Sequence, residues 1–518
     1  MTLIPITGVP STFRNPGGFV EIQMAQGPAS AAAGSRDVVL CMPMLPTAGL
    51  AYTAATLYPV NSEQDTVLGA GPGGPLHRAT RKFLQCNRTN KLWVLPIAET
   101  SGGAEVAATF AVTFVTDPTA AGEATVRVCD QDFTYSYVDA DTITTIAAGL
   151  KGIINNATHI PVTAGSALGV LTLTAKLKGI SQGTAALGVI QVRTKISPNT
   201  GTTISASGAL GDTVAGVEGA TTEAANLATS LAAIDSKRIY FVVSSANDTT
   251  SYANLATHIL NKSAANIGHR SVGICAYPGA LADVQTLAIA RNYERLQMVW
   301  QENSDHDTAE LAANMAAIRS KYEDVDPTYN FATYTGPDWR INGAYATADY
   351  PSAADQNDAI NDGITCIATS GTGSYPVMSV STRSKTAAGG KIDDFRGCET
   401  HRLSMCDAWS DEVLQEFALM YRGKKLAPDE LLADGTVNPN QKQIRNVIRP
   451  QQTLVPWLKK KIQDFEDDGQ IINAAESKEG LRVVICDTNS SRAECSVDLA
   501  AINHFHQFTM RVAEVSAA

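Results

Sequence analysis

Each end of the chain reads as a lone β-strand standing apart from any obvious fold. Residues 504–515 run His-Phe-His-Gln-Phe-Thr-Met-Arg-Val-Ala-Glu-Val, with Phe508, Met510 and Val512 on one side and Gln507, Thr509 and Arg511 on the other. Near the start, Phe19–Met24 alternates in the same way, placing Val20, Ile22 and Met24 on one face. The stretch ahead of it, Ile4-Pro5-Ile6-Thr7-Gly8-Val9-Pro10, is too interrupted by proline and glycine to pack alone. A single strand leaves its backbone N–H and C=O groups unpaired, so it must add to the edge of a sheet. Two such ends on one chain can reach two neighbours, and repetition of that exchange makes a polymer.

Between the ends, short apolar runs alternate with helical stripes. Asp37–Met42 and Lys91–Ile97 are expected as buried strands, with a helix over Leu76–Cys86. The pattern resumes with a helix over Thr222–Ile234 and a strand over Arg238–Ser244. A helix over Tyr252–Lys262 then precedes a strand over Ser271–Ala276, and a helix over Leu281–Tyr293 precedes a strand over Arg295–Trp300. The helix Thr308–Tyr322 closes the series. Strands and helices in alternation predict an α/β fold, a mostly parallel, doubly wound central domain. Residues 101–216 break it with Thr-, Ala- and Gly-rich strands around Phe133, Tyr135 and Tyr137, Val170–Leu177 and Val189–Arg193. One helical stripe (Ile143, Ile146, Ala147, Leu150, Ile153, Ile154) is capped in this reading by Asp139-Ala140-Asp141. That block reads as a β-rich insertion. Beyond about Asn357 come expected strands at Ile364–Ala368 and Val377–Thr382 and a helix over Thr400–Gly423. A second helix carries Leu454, Leu458, Ile462 and Phe465, and further strands follow at Leu481–Asp487 and Glu494–Leu499. Ser370–Leu499 reads as a smaller α+β domain with open sheet edges.

A net charge of −11 argues against broad electrostatic binding of nucleic acid. No stretch has the length and apolarity of a membrane span, and the amino end has no signal-peptide pattern, so assembly in a cytoplasm is expected. Nine scattered cysteines lack zinc-ligand spacing and are expected as free thiols, with Cys486/Cys495 and Cys398/Cys406 as the pairs able to oxidise outside the cell.

Two glycine motifs invite an enzymatic reading. Gly69-Ala70-Gly71-Pro72-Gly73-Gly74 fits G-x-G-x-x-G, but Pro72 and Pro75 stiffen it and no acidic partner follows a strand. Gly179-Ile180-Ser181-Gln182-Gly183 fits G-x-S-x-G, but lies between strands rather than before a helix. Both are expected as structural turns. His504 and His506 share a strand face, yet no third ligand is near in sequence. No catalytic, cofactor-binding or metal-binding residues are therefore expected. Lys459-Lys460-Lys461 is a basic run on a helix of an acidic protein, expected first as a solvated helix face and alternatively as a docking face for an acidic surface.

The order of several segments resembles the tail sheath proteins of contractile-tailed, Mu-like bacteriophages. It is carried by the arm from Ile6 to Glu21, Leu68-Gly69-Ala70-Gly71-Pro72, Leu92-Trp93-Val94-Leu95-Pro96, Ala288-Ile289-Ala290-Arg291-Asn292-Tyr293 and Asn489-Ser490-Ser491-Arg492. Asp355–Gly363 and the loop after Arg383 depart from the family pattern. The resemblance implies an N-terminal arm (1–24) and a central domain in two parts (25–100 and 218–369). It also implies a protruding insertion (101–217), an inner C-terminal domain (370–500) and a C-terminal arm (501–518). It implies a structural, non-enzymatic subunit of a virion, assembled in the host cytoplasm, whose arms exchange strands with other copies. The tail tube, baseplate and tail terminator are further partners, with no cofactor, no nucleic acid and no membrane insertion. The arm residues Phe19, Val20, Ile22, Met24, Phe508, Met510 and Val512 would join subunits, and Lys459, Lys460 and Lys461 would face the tube. Alternatives are an α/β hydrolase or nucleotide-binding enzyme, or the sheath of a related secretion or bacteriocin machine.

Overall fold

A computed structural model of the chain describes residues 36–180, 189–197, 204–207, 214–332, 334, 336, 338–341, 350–370, 373–386, 388–391 and 398–504. The arm strands around residues 19–24 and 508–512 lie outside the described residues, as does Ser181 of the second glycine motif.

The described chain is a mixed α/β structure. An eight-stranded sheet runs, in spatial order, Gly373–Pro376, Thr365–Ser370, Leu296–Trp300, Val272–Tyr277, Phe241–Ser244, Val38–Pro43, Leu92–Ile97 and Tyr58–Val60. The six inner strands are parallel, and an antiparallel strand closes each edge. Helices cover both faces, as a parallel sheet requires. Along Val38–Pro43, Val38, Leu40 and Met42 enter one core with the helices Pro75–Cys86 and Thr308–Glu323. Val39 and Cys41 enter the other, beneath Glu223–Ala232, Thr249–Ser263 and Leu281–Arg291. This is the period-two alternation of a strand buried on both sides. The helix Leu281–Arg291 ends where Asn292 turns left-handed (φ 40°), and the Asn292 side chain accepts hydrogen bonds from the N–H groups of Ser384 and Lys385.

Residues 107–207 form two further sheets around one helix. Ile204–Ser207, Ala107–Phe114, Val170–Lys178 and Val162–Ala167 make one; Gln131–Tyr137, Gly122–Val128 and Val192–Ser197 make the other. Ala107–Phe114 and Val170–Lys178 alternate strictly between half-buried and buried residues. Their inward side chains enclose Ile146, Leu150 and Ile154 of the helix Ile143–Asn156 in a separate core. The cap of that helix is Thr142, whose hydroxyl accepts from the Thr145 N–H, rather than the expected Asp139–Asp141. Asp141 instead accepts from the Val138 N–H and closes the preceding turn. The strand expected at Val189–Arg193 is shifted to Val192–Ser197.

Val377–Thr382 is not a strand; among the described residues its one bridge is Val380↔Glu399. The long helix Thr400–Met420 follows. Its first half is buried against the α/β body, while Trp409, Val413, Phe417 and Tyr421 pack into a small core with Leu458, Ile462 and Phe465 of the helix Val455–Asp467. The antiparallel hairpin Arg482–Cys486/Asn489–Ser496 lies beside it, with Val483 in the same core. All nine cysteines are free thiols.

Candidate functional sites: the roots of the arms, a basic helix and buried ion networks

Arg36 and His504 are the first and last described residues, Arg36 lying after the expected arm 1–24 and His504 within the expected arm 501–518. Arg36 is buried. It donates to the Glu323 carboxylate at 3.0 Å and to the Ser404 carbonyl at 3.0 Å, and its guanidinium lies 4.4 Å from the Tyr240 ring centre. At the other end, Arg402 donates to the Asn503 side chain at 2.6 Å, and His504 Nε2 lies 2.6 Å from the Thr328 carbonyl oxygen. Ser404 and Arg402 are neighbours on the long helix, so both roots are held within its first turns.

The same helix carries a second buried network. Asp407 accepts two hydrogen bonds from Arg295, at 2.7 and 2.8 Å, and one from the Tyr240 hydroxyl at 3.0 Å. Arg270 approaches at 3.7 Å and also contacts Asp411, which pairs with Arg238. Burial opposes ionisation of Asp407, but Arg295 and then Arg270 outweigh it and lower its pKa. Buried pairs of this kind add little net stability, yet losing one partner is costly because the other charge is left uncompensated.

A third network joins the two-sheet region to the body. Asp305 accepts from Arg127 at 3.0 Å and lies 3.4 Å from Arg193. Arg78 donates to Asp307 at 2.8 Å and to Glu310 at 2.9 Å. His306 Nδ1 stands 3.2 Å from Glu310 and 3.9 Å from Asp130. Burial again opposes the charge on Glu310, but Arg78 holds its carboxyl well below the usual range.

The three lysines of the basic helix do not share an environment. Lys459 and Lys460 are exposed, and Lys460 pairs with Asp464 at 2.8 Å. Lys461 is buried and ion-paired to Glu412 and Glu416 of the long helix. The helical repeat turns it toward its own chain, which corrects the expectation that it faces a tube. Trp457, one turn earlier, donates to Glu416 at 2.9 Å and reinforces the same seam.

The glycine motif at residues 69–74 is a tight connection between the helices Glu63–Ala70 and Pro75–Cys86. Gly71 and Gly73 have φ of 89° and 85°, and the Gly73 N–H donates to His77 Nδ1 at 2.9 Å. Lys176 donates to the carbonyls of Pro72 and Thr158, and a Cβ on Gly73 would collide with Lys176 and the Ile160 carbonyl. The glycines let this chain's own backbone approach closely; the space a phosphate would take is filled by the two-sheet region. Of the second motif, Gly179 and Ile180 follow the strand Val170–Lys178.

His504 meets two residues that its sequence surroundings do not announce. Glu399 and His401, at the start of the long helix, bring their ligating atoms within 4.8 Å of each other and of His504. His401 is buried. Burial lowers its pKa to about 3; Glu399 opposes the shift, and His504 and Arg402 add to it. The signal missed in sequence was the pair Glu399-x-His401, more than a hundred residues upstream.

No family model matches the chain. One curated relative, from Haemophilus influenzae, is 26% identical over 176 residues, covering 34% of this chain and 35% of the relative. Its description is a Mu-like prophage FluMu tail sheath protein. The chain is a homologue of a Mu-like prophage tail sheath protein. The match thus spans about a third of the sheath relative's length. Among solved structures, the sheath tail protein of Desulfitobacterium hafniense aligns with a TM-score of 0.45 at 13% identity, covering 95% of this chain and 100% of that one. The sheath tail protein of Listeria innocua aligns with a TM-score of 0.46 at 11% identity, covering 92% and 94%. The contracted helical sheath of the anti-feeding prophage aligns with a TM-score of 0.44 at 10% identity, covering 97% and 99%.

Proposed function

We propose that this chain is the structural, non-enzymatic subunit of a contractile tail sheath. It polymerises helically around a tail tube and contracts without nucleotide hydrolysis to drive the tube through a host envelope. The observation that carries this reading is the homology to a Mu-like tail sheath protein. The strand-like sequences at both ends support it, because head-to-tail strand exchange between copies grows an open helix rather than a closed dimer. In this reading residues 1–24 and 501–518 are the exchanged arms and 101–217 the protruding insertion. Residues 25–100 and 218–369 form the central domain, and 370–500 the inner domain. Its partners are other copies of itself, the tail tube, the baseplate and the tail terminator. It belongs to a virion put together in the host cytoplasm.

Contraction of this kind needs no fuel if the extended sheath is kinetically trapped. A further ~400 Å² of apolar surface buried per subunit would supply about 10 kcal/mol before opposing terms. The test is electron microscopy of the purified chain beside a version lacking residues 501–518. The full chain should form tubes and the truncated one a soluble, folded particle. Tubes of full length from the truncated chain would overturn the proposal.

A further inference from the structure

We propose that Glu399, His401 and His504 form a binding site for one divalent transition-metal ion of the zinc type, at the root of the C-terminal segment. The proposal concerns the folded chain and is independent of whether it polymerises.

The spacing of the donors is the first argument. His504 Nδ1 lies 3.5 Å and His401 Nδ1 3.8 Å from the same oxygen, Glu399 Oε1. Both distances are too long for hydrogen bonds. Donors about 2.0–2.2 Å from a tetrahedral zinc ion stand about 3.3–3.5 Å from one another, so these three are set nearly as ligands of a shared ion.

The orientation of His504 is the second. Its Nε2 lies 2.6 Å from the Thr328 carbonyl oxygen, which can only accept. Nε2 therefore donates to it, which turns Nδ1 toward the Glu399 carboxylate. A backbone carbonyl behind the far nitrogen is the usual outer support of a metal-bound imidazole.

His401 supplies the third argument. It is 3% exposed, lines a small cavity shared with Phe331, Met378, Glu399 and His504, and its Nε2 has no hydrogen-bond partner among the described residues. The cavity has room for about one water-sized occupant, which suits an ion's remaining ligand. Two imidazoles and a carboxylate favour zinc over the harder calcium and magnesium.

Two features oppose loading. Arg402 Nε lies 3.8 Å from Glu399 Oε2 and repels a cation. The His401 and His504 ring centres are 3.8 Å apart, so one ring must turn outward as the ion enters.

The test uses the untagged full-length chain, stripped with a chelator and titrated with zinc sulfate by calorimetry, then with cobalt(II) by visible absorption. One zinc per chain should bind, raise the unfolding temperature, and give the intense visible bands of low-coordinate cobalt. His504→Ala and Glu399→Gln should each weaken binding at least tenfold. The cobalt spectrum of the unaltered chain decides the matter even where a variant folds poorly. No saturable zinc binding by the unaltered chain, or equal binding by His504→Ala, overturns the proposal.

Discussion

At the scale of single residues, the buried groups dominate. Asp407→Asn would leave Arg295 without its counter-charge, and Arg270 with Asp411 alone, in a buried site. We expect a loss of about 3–5 kcal/mol in urea unfolding, partly recovered when Arg295→Met is added. His401 carries a pH dependence whose sign follows from burial. Its pKa falls to about 3 on folding from an ordinary value near 6.5, so the unfolded chain binds the extra proton. The neutral ring's contribution is therefore fully present above about pH 6.5 and is lost progressively as the pH drops toward 3. Lowering the pH from 7 to 5 should cost about 2 kcal/mol through this residue alone, and His401→Gln should remove that part of the acid sensitivity. None of this was legible beforehand. Asp407 and His401 read as ordinary polar positions until the helix Thr400–Met420 is placed against strands that come more than a hundred residues earlier.

Among the elements, the strand–helix alternation from Thr222 to Tyr322 was readable because each strand is buried on both faces and the helices Glu223–Ala232 and Thr249–Ser263 bury one stripe each. Val377–Thr382 misled because its alternation of Val and Met with Ser and Thr suits a buried loop as well as a strand; here its main-chain contacts go to Glu399 and to body residues instead of a ladder. The basic helix shows how neighbours in sequence part in space. Lys461→Glu would set a third carboxylate against Glu412 and Glu416, and we expect about 2–4 kcal/mol of destabilisation in thermal or urea unfolding. Lys459→Glu with Lys460→Glu should change stability by no more than about 0.5 kcal/mol. If these two exposed residues meet the tube, that pair should slow tube-templated assembly at low salt, and raising the salt should shrink the difference.

For the molecule as a whole, the decisive comparison is between the full chain and a chain cut after His504, which keeps the contacts of Ala501, Asn503 and His504 with the body. Equal solubility and equal unfolding midpoints, together with the loss of long polymers, would place the C-terminal segment's role between subunits rather than within one. The structure adds a mechanical corollary. Arg36 and His504 are both clasped by the opening turns of one rigid rod, which is wedged into the α/β body at one end and into a second core at the other. If the arms exchange strands with other copies as proposed, tension arriving from two neighbours would be delivered to a common anchor. A tug on either side would swing the entire particle as a unit, much as two ropes tied to one cleat turn a boat without bending its hull.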